Sequence, residues 1–102
     1  MHIPTPFEEK IYRILRRVPR GKVTTYAALS RAAGRPRAAR AIGNAMNRNP
    51  YAPAVPCHRV VRSDGMVGGF ARGTRRKTKM LLREGVRIER GRIDLKKFGY
   101  RF

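Results

Sequence analysis

The chain has little of what disulfide-bonded, zinc-bound or membrane-spanning proteins are built from. Its 102 residues include one cysteine, two histidines and no tryptophan. A single cysteine excludes an intramolecular disulfide, and with two histidines it leaves too few ligands for an ordinary four-ligand zinc site. No apolar run approaches the roughly 18 residues of a membrane-spanning helix, and the first ten residues lack the basic and apolar regions of a secretory signal. We expect no metal, no organic cofactor, no membrane partner and no secretion.

Acidic residues are also scarce. Six Asp and Glu stand against 25 Lys and Arg, which gives a net charge of +19. Such an excess neutralises phosphates and releases their counterions, so it predicts weak, sequence-independent binding to nucleic acid at low salt. An anionic membrane surface is the competing polyanion. Of the two partners we expect nucleic acid. The protein should then lie in the cytoplasm, associated with the nucleoid, or in the nucleus.

The length and the even composition predict one continuous domain over residues 1–102. A chain of 102 residues with 41% apolar residues has room for one modest core. Glycines and prolines are spread along the chain, without a repeat, a low-complexity tract or a linker. We expect a monomer.

The first helix is predicted from its start. Thr5, Pro6 and Glu8 give a capping residue, a proline at the first helical position and a Glu that can reach back to the cap. The helix should end before Pro19, with a short extended stretch at residues 22–24. Its apolar residues follow the helical period and are Phe7, Ile11, Ile14, Leu15 and Val18.

Two further helices should follow, joined by a tight turn. Thr25 can cap a second helix through Ala33, and Gly34 can close it in the left-handed conformation. Pro36 can open a third helix that runs to about Met46. Two helices with a glycine turn are typical of a helix-turn-helix, in which the second helix enters a DNA groove, but a plain helical hairpin gives the same pattern.

The third helix combines long cations with small residues. Arg37 and Arg40 have the reach to contact DNA, and the small residues would let the backbone approach a groove. A core helix that crosses its neighbour closely is the alternative, and both can hold on different faces. The small residues are Ala38, Ala39, Ala41, Gly43 and Ala45.

After the third helix the pattern changes to loops and short strands. Three prolines in residues 51–56 forbid an interior helix. Val60–Val61 is typical of a short strand, residues 63–65 of a turn, and residues 68–73 of a loop whose backbone can approach a ligand.

Thr74 should cap a last helix that ends at Gly85. The tail alternates apolar and polar residues around Arg90–Gly91, which predicts a small hairpin, and residues 98–102 carry aromatics that could dock on the body. Together these elements predict a mainly α fold with short β elements.

Cys57 and His58 stand together at the end of the proline-rich loop. A strongly positive chain favours thiolate over thiol. If the segment is extended, the two side chains point to opposite sides, and a bridging water is as plausible as a direct hydrogen bond. A buried, inert cysteine beside a structural histidine is the alternative.

A long segment and two short motifs resemble a known family. The segment is Gly21 to Val61, GKVTTYAALSRAAGRPRAARAIGNAMNRNPYAPAVPCHRVV, and the downstream motifs are GGFARG and LLREG. The resemblance is to the catalytic and DNA-binding domain of the 6-O-alkylguanine-DNA alkyltransferases, also called methylated-DNA-protein-cysteine methyltransferases. It implies a winged-helix-like helix-turn-helix domain. It also implies a protein that flips an alkylated guanine out of duplex DNA and moves the alkyl group irreversibly onto its own cysteine.

The resemblance assigns catalytic roles to five residues. Cys57 matches the acceptor, and His58 matches the base that takes its proton through a water. Glu84 matches the carboxylate that orients the histidine, and Asn49 the residue that supports the loop. Tyr26 matches the tyrosine that helps to rotate the target nucleotide and can donate to the base as guanine leaves.

The resemblance also implies how the lesion is held. Arg40 matches the finger that enters the base stack, where a planar cation can offset part of the few kcal/mol that flipping costs. Phe70 and Ala71 stand where the family commonly has a tyrosine and a serine, which changes the donors available to the base. The other implied positions are Thr25, Arg37, Ala38, Ala39 and Gly43 on the DNA and Met46, Val67, Gly68, Gly69 and Arg72 around the base.

Full members of the family carry an N-terminal domain for which 102 residues leave no space, so we expect it to be absent. The small size resembles the alkyltransferase-like proteins, which bind alkylated DNA without repairing it and flag it for nucleotide excision repair proteins. In those a tryptophan usually replaces the cysteine that this chain retains. Three functions therefore stay open: a self-sacrificing alkyltransferase, a lesion sensor, and a basic helix-turn-helix protein.

Overall fold

The computed structural model describes residues 3–68 and 73–102 and is mainly helical there. Its elements in chain order are α1 (Pro6–Leu15), β1 (Thr24–Thr25), α2 (Tyr26–Ala32), α3 (Ala39–Asn47), the single-turn 3-10 helix Cys57–Arg59, β2 (Val60–Val61), α4 (Thr74–Arg83) and α5 (Leu95–Phe98). The prediction of a mainly α fold with short β elements is confirmed.

The start of α1 is built as the sequence predicts. The Thr5 hydroxyl oxygen accepts a hydrogen bond from the Glu8 amide at 3.1 Å, and the Glu8 carboxylate accepts one from the Thr5 amide at 2.9 Å. This reciprocal pair satisfies amides that have no partner within the helix. The helix ends at Leu15, yet Val18 beyond it is still fully buried.

The apolar side chains form two clusters. The first apolar cluster joins α1, α2 and α3 to the 3-10 helix, and the second joins Val23, just before β1, with β2, α4 and the C-terminal tail. The first comprises Ile11, Tyr12, Ile14, Leu15, Val18, Leu29, Ala33, Ile42, Ala45, Met46, Val55, Cys57 and Val60. The second comprises Val23, Val61, Val67, Leu81, Val86 and Ile93.

β1 and β2 link the two clusters. They pair in parallel, with Thr24 opposite Val60 and Thr25 opposite Val61. This pairing holds the start of α2 beside the segment that carries Cys57.

The turn between α2 and α3 differs from the prediction. Gly34 is left-handed as expected, with φ of 80°, but α3 begins at Ala39 and not at Pro36. The Ala38 amide donates to the Arg35 carbonyl at 3.1 Å, so Pro36 takes the second position of a β-turn, for which its fixed φ is suited. The buried Ser30 hydroxyl holds this turn, because it donates to the Arg35 carbonyl and accepts from the Ala38 amide.

The start of α4 also differs. Gly73 is the N-cap and Thr74 is the first helical residue, and no side chain caps the helix. The Thr74 hydroxyl lies 3.4 Å from the Gly68 carbonyl instead of bonding a helix amide. Gly85 follows the end of the helix with φ of 88°, as predicted.

The predicted C-terminal hairpin is only a turn. Glu89 and Arg92 exchange backbone hydrogen bonds of 2.9 and 3.0 Å around Arg90–Gly91. The flanking strands do not form, because the Ile93 amide donates to the Gly65 carbonyl and the second half continues into α5, which is capped by Asp94. The prediction of α4 as the last helix is therefore wrong.

Two of the three terminal aromatics dock on the body as expected, whereas Phe102 is 40% exposed and contacts only the Tyr100 ring among the aromatic rings of the described residues. Tyr100 packs against the first apolar cluster, and its amide donates to the Val23 carbonyl at 2.7 Å. Phe98 packs against the second. No helix in the described ranges is long and apolar enough to cross a membrane.

Candidate active site

The loop that presents Cys57 is closed by one side chain. The Asn49 amide nitrogen donates to the Val55 carbonyl at 2.8 Å, and its oxygen accepts from the Tyr51 amide at 2.9 Å. A backbone bond of 3.0 Å from the Val55 amide to the Tyr51 carbonyl adds to this closure. Val55 is fully buried, so the loop is anchored immediately before the cysteine.

Cys57 is a free thiol that is 7% exposed. The segment is not extended as expected, because Cys57, His58 and Arg59 form a 3-10 turn. Side chains one residue apart on such a turn diverge by about 120°, and no direct hydrogen bond joins Cys57 to His58 in the part of the chain that the structure describes. A bridging water between them stays a prediction.

Glu84 holds the two residues that follow the cysteine, His58 and Arg59. Its carboxylate lies 3.0 Å from His58 Nε2 and accepts two bonds from Arg59, at 2.9 Å from Nε and 2.6 Å from Nη2. Arg59 Nη1 also donates to the Val18 carbonyl at 2.9 Å. A bidentate, charge-assisted pair of this kind is rigid, so the carboxylate that faces the histidine has a fixed position.

The protonation states suit a proton-accepting histidine. Burial lowers the pKa of His58 below its usual value of 6.5, although the hydrogen bond and charge of Glu84 oppose this effect. Burial raises the pKa of Glu84, but the hydrogen bonds from Arg59 and His58 outweigh it, and the pKa is lowered overall. Near neutral pH His58 is uncharged and donates through Nε2 to the carboxylate, which leaves Nδ1 to accept a proton.

Tyr26 lies at the first position of α2 and packs against the first apolar cluster, to which Cys57 belongs. The Thr25 hydroxyl caps this helix by accepting from the Ala28 amide at 3.0 Å. Burial, and then the electrostatic interaction with Cys57, raise the pKa of Tyr26 above 10.0. The phenol is therefore protonated at neutral pH and can act as a donor.

α3 has one buried and one exposed face. The core interpretation of its small residues holds for buried Ala45, and the groove interpretation of the exposed ones stays a prediction. Ile42, Ala45 and Met46 face the core. Arg40 is exposed, and a Cβ added at Gly43 would meet open space. Of the other predicted contact positions, Arg37 and Ala39 are exposed and Thr25 and Ala38 are half-buried.

The predicted base-pocket residues are only partly described. Met46 lies in the first apolar cluster and Val67 in the second, 8% and 3% exposed. Gly68 has φ of 77°, and a Cβ there would lie 3.1 Å from Arg62 Cγ. Gly69, Phe70, Ala71 and Arg72 lie outside the described residues, so their role stays a prediction.

Lys77 is a site residue that the sequence reasoning missed. Its side chain is fully buried, and Nζ donates to the Val60 carbonyl at 2.6 Å. Burial lowers its pKa to about 8, although the negative charge of Cys57 raises it. A signal was present in the sequence, because Lys77 lies four residues before the buried Leu81 and so shares the inward face of α4.

No group of three residues able to hold a metal ion occurs among residues 3–68 and 73–102. In that part of the chain the site consists of a thiol, a neutral histidine, a paired carboxylate, a phenol and a buried amine. This set can activate a thiol as a nucleophile and supply a proton to a leaving group.

Comparison with known proteins identifies the family. Residues 6–86 match the model of the 6-O-methylguanine DNA methyltransferase, DNA binding domain. A bifunctional methyltransferase/endonuclease of Picrophilus torridus is 44% identical over 92 residues, which cover 90% of this chain and 30% of that protein. The Shigella flexneri methylated-DNA–protein-cysteine methyltransferase is 44% identical over 79% of this chain and 47% of its own length. The chain thus spans less than half the length of these relatives.

A solved structure extends the match over the whole chain. Schizosaccharomyces pombe Atl1, solved in complex with damaged DNA containing O6-carboxymethylguanine, superposes with a TM-score of 0.87 at 30% identity, covering 99% of this chain and 100% of that one. The fold, the sequence match and the Cys57 site agree, and the chain belongs to the 6-O-methylguanine DNA methyltransferase family.

Proposed function

We propose that this protein repairs duplex DNA by flipping out a 6-O-alkylated guanine and transferring the alkyl group irreversibly to Cys57. The observation that carries the proposal is the arrangement of Cys57 beside a neutral His58 whose Nε2 is held 3.0 Å from Glu84. Displacement at a saturated carbon needs a soft thiolate, and a positioned neutral base supplies one near neutral pH. A protein that only binds DNA has no need for this set.

The reaction balances within the residues of the site. The Cys57 thiol gives its proton through a water to His58 Nδ1, and the thiolate attacks the alkyl carbon. A carbon–sulfur bond forms, the bond from that carbon to O6 breaks, and its electron pair stays on the guanine. Tyr26 gives that guanine a proton and regains one from solvent. The thioether at Cys57 is stable, so each molecule acts once.

DNA contact is proposed for α2 and α3. Thr25 and Arg37 would contact and position the DNA backbone, and Arg40 would fill the space that the flipped base leaves. Ala38, Ala39 and Gly43 would allow a close approach to the groove. The positive charge of the chain and the damaged-DNA complex of the Atl1 relative support this assignment.

A lesion sensor is the second candidate, since the match to Atl1 covers both chains almost entirely. In that case the protein would bind the lesion without transfer, and nucleotide excision repair proteins would act next. The retained cysteine and its paired base favour transfer.

The test is the intact mass of the protein after incubation with a duplex that contains a single 6-O-methylguanine. We expect an increase of one methyl group, about 14 Da, located at Cys57 and absent from Cys57→Ser. A duplex with plain guanine is the matched control. An unchanged mass with lesion-selective binding would instead make the protein a sensor, and equal affinity for both duplexes would leave a basic helix-turn-helix protein.

A further inference from the structure

The outward face of α4 carries four cations that the proposed transfer does not use. They are Arg75, Arg76, Lys79 and Arg83, and all four are exposed. At about 100° per residue they fall within an arc of roughly 100° on the side opposite Lys77 and Leu81, which are the buried residues of this helix. The charged face is therefore a continuous strip along the helix.

This strip is electrostatically unfavourable for α4 by itself. Arg75 and Arg76 lie in the first turn, where the helix dipole disfavours cations, and that turn contains no acidic residue. Arg75 with Lys79, and Lys79 with Arg83, are like-charge pairs four residues apart, which destabilise a helix. An anionic partner would reduce this electrostatic repulsion.

No acidic side chain of the described chain supplies that partner. Within residues 3–68 and 73–102 the ion pairs use His58, Arg59 and Arg62 as their cations. A fifth cation joins the strip, because exposed Arg20 donates from Nη2 to the Arg83 carbonyl at 2.9 Å. We call this set of Arg20, Arg75, Arg76, Lys79 and Arg83 the α4 patch.

The α4 patch lies on the side of α4 turned away from the buried residues of that helix. α4 packs through its buried face onto the 3-10 helix Cys57–Arg59, and Cys57 in turn packs into the first apolar cluster with α1, α2 and α3. The patch lies on the face of α4 opposite these contacts, where it would stay open to a further partner when a duplex is seated on α3.

We propose that the α4 patch binds the phosphate backbone of a second DNA duplex, so that one molecule can hold two DNA segments. Charge complementarity supports this choice. Arg75 to Arg83 spans about 12 Å of rigid helix, and over about 12 Å of duplex axis one DNA strand carries roughly three to four phosphates. Binding by such a patch would be independent of base sequence and of the lesion. The proposal rests on the proposed binding of a first duplex by α2 and α3.

The experiment is a two-duplex capture with undamaged DNA, so that alkyl transfer does not enter. A biotinylated duplex is immobilised, the protein is added, and retention of a fluorescent second duplex is measured against salt. The test variant is Arg75→Gln, Lys79→Gln, Arg83→Gln. The matched control, Arg13→Gln, Arg17→Gln, Lys96→Gln, removes the same charge from exposed positions on α1, just after α1 and on α5.

We expect the test variant to lose second-duplex capture at least tenfold, to keep its affinity for the first duplex within twofold, and to unfold at no lower temperature. The salt slope of second-duplex capture should fall by roughly 0.9 for each phosphate that the variant no longer neutralises. The control variant should capture the second duplex as the parent does.

Four results would overturn the proposal. They are no capture by the parent, an equal loss in both variants, a loss of first-duplex affinity in the test variant, and complexes that contain two protein molecules by analytical ultracentrifugation. Failure of the parent to bind even the first duplex would instead count against the proposed function.

Discussion

At the residue scale, the site depends on how Glu84 divides its carboxylate between two neighbours. The carboxylate accepts two hydrogen bonds from Arg59 and one from His58. The arginine keeps the carboxylate ionised, and the carboxylate keeps the histidine in the tautomer whose Nδ1 is free. In the proposed transfer, the reactivity of Cys57 would therefore depend on a residue that does not touch it.

The pH dependence of transfer follows from His58. Only the neutral imidazole accepts a proton, and burial lowers its pKa below 6.5. The single-turnover rate, followed by intact mass, should therefore hold from pH 7 down to about 6.5 and fall only at lower pH. Glu84→Gln should slow the reaction about 100-fold or more at pH 7, because a positioned general base contributes about 10²–10⁴-fold. A rate that already declines above pH 6.5 would contradict this assignment.

Lys77 should make the protein more stable in mild alkali. Its pKa is about 8 in the folded state against 10.5 when unperturbed, so between these values the unfolded chain binds the extra proton. The free energy of unfolding, measured with urea, should rise with pH across this window. Lys77→Met should lose that rise, whereas Lys79→Met, which changes an exposed lysine of the same helix, should keep it. Equal pH slopes in the parent and Lys77→Met would refute the expectation.

At the scale of elements, the loop at residues 49–56 is held by side-chain hydrogen bonds more than by regular structure. Asn49→Ala removes both hydrogen bonds of the Asn49 side chain, so the buried Val55 carbonyl loses this donor. We expect a loss of about 1–3 kcal/mol in the free energy of unfolding and slower transfer.

Asn47→Ala is the matched control for the loop, since Asn47 is exposed at the end of α3. It should change stability by less than about 0.5 kcal/mol. Urea denaturation and single-turnover mass measurements on both variants test the difference. Equal effects would mean that the loop does not depend on Asn49.

α3 is the element through which lesion selectivity should act. Arg40→Ala should weaken binding to a lesion-bearing duplex more than to a plain duplex, because the arginine stabilises the vacated base stack. Arg37→Ala, which changes an exposed arginine just before the helix, should weaken both equally, as a phosphate contact does. Titrations of both variants on both duplexes decide this. Equal losses for Arg40→Ala would make it a phosphate contact as well.

At the scale of the whole molecule, a net charge of +19 opposes folding through self-repulsion. Raising NaCl from about 0.01 to 0.1 M shortens the screening length from about 30 to 10 Å, so the melting temperature should rise. The triple glutamine variant of the α4 patch, with a net charge of +16, should respond less. Calorimetry across the salt range tests both, and a melting temperature that is flat or falls with salt would contradict the expectation.

The sequence predicted the parts of the fold that local hydrogen bonding decides. The caps are short-range: in the capping box of α1 and in the Thr25 cap of α2, the bonded residues are three positions apart. The left-handed conformation of Gly34 is likewise a local property of glycine. The prediction that α3 starts at Pro36 is wrong, and hydrogen bonding again explains the outcome. Proline preferences allow both a helix start and a turn there, and the bonds of Ser30 to the turn, which decide between them, are not visible in those preferences.

The site was predictable in its chemistry and not in its geometry. Cys57 and His58 are adjacent in sequence, and resemblance alone assigned Glu84, which lies 26 residues from the histidine. Lys77 was missed because lysine is rarely buried, and only packing on Val60 shows what it does.

The sequence alone therefore determined the helix starts that side-chain caps define, the excess of positive charge and the adjacency of Cys57 and His58, since each depends on residue type and short spacing. Tertiary structure decided the rest. It brought Glu84 onto His58 and Arg59, buried Lys77 beneath β2, and paired Ile93 with Gly65 where a hairpin was expected. The physical reason is that these contacts join segments 17 to 28 residues apart, and whether they form depends on which surfaces the two apolar clusters bring together.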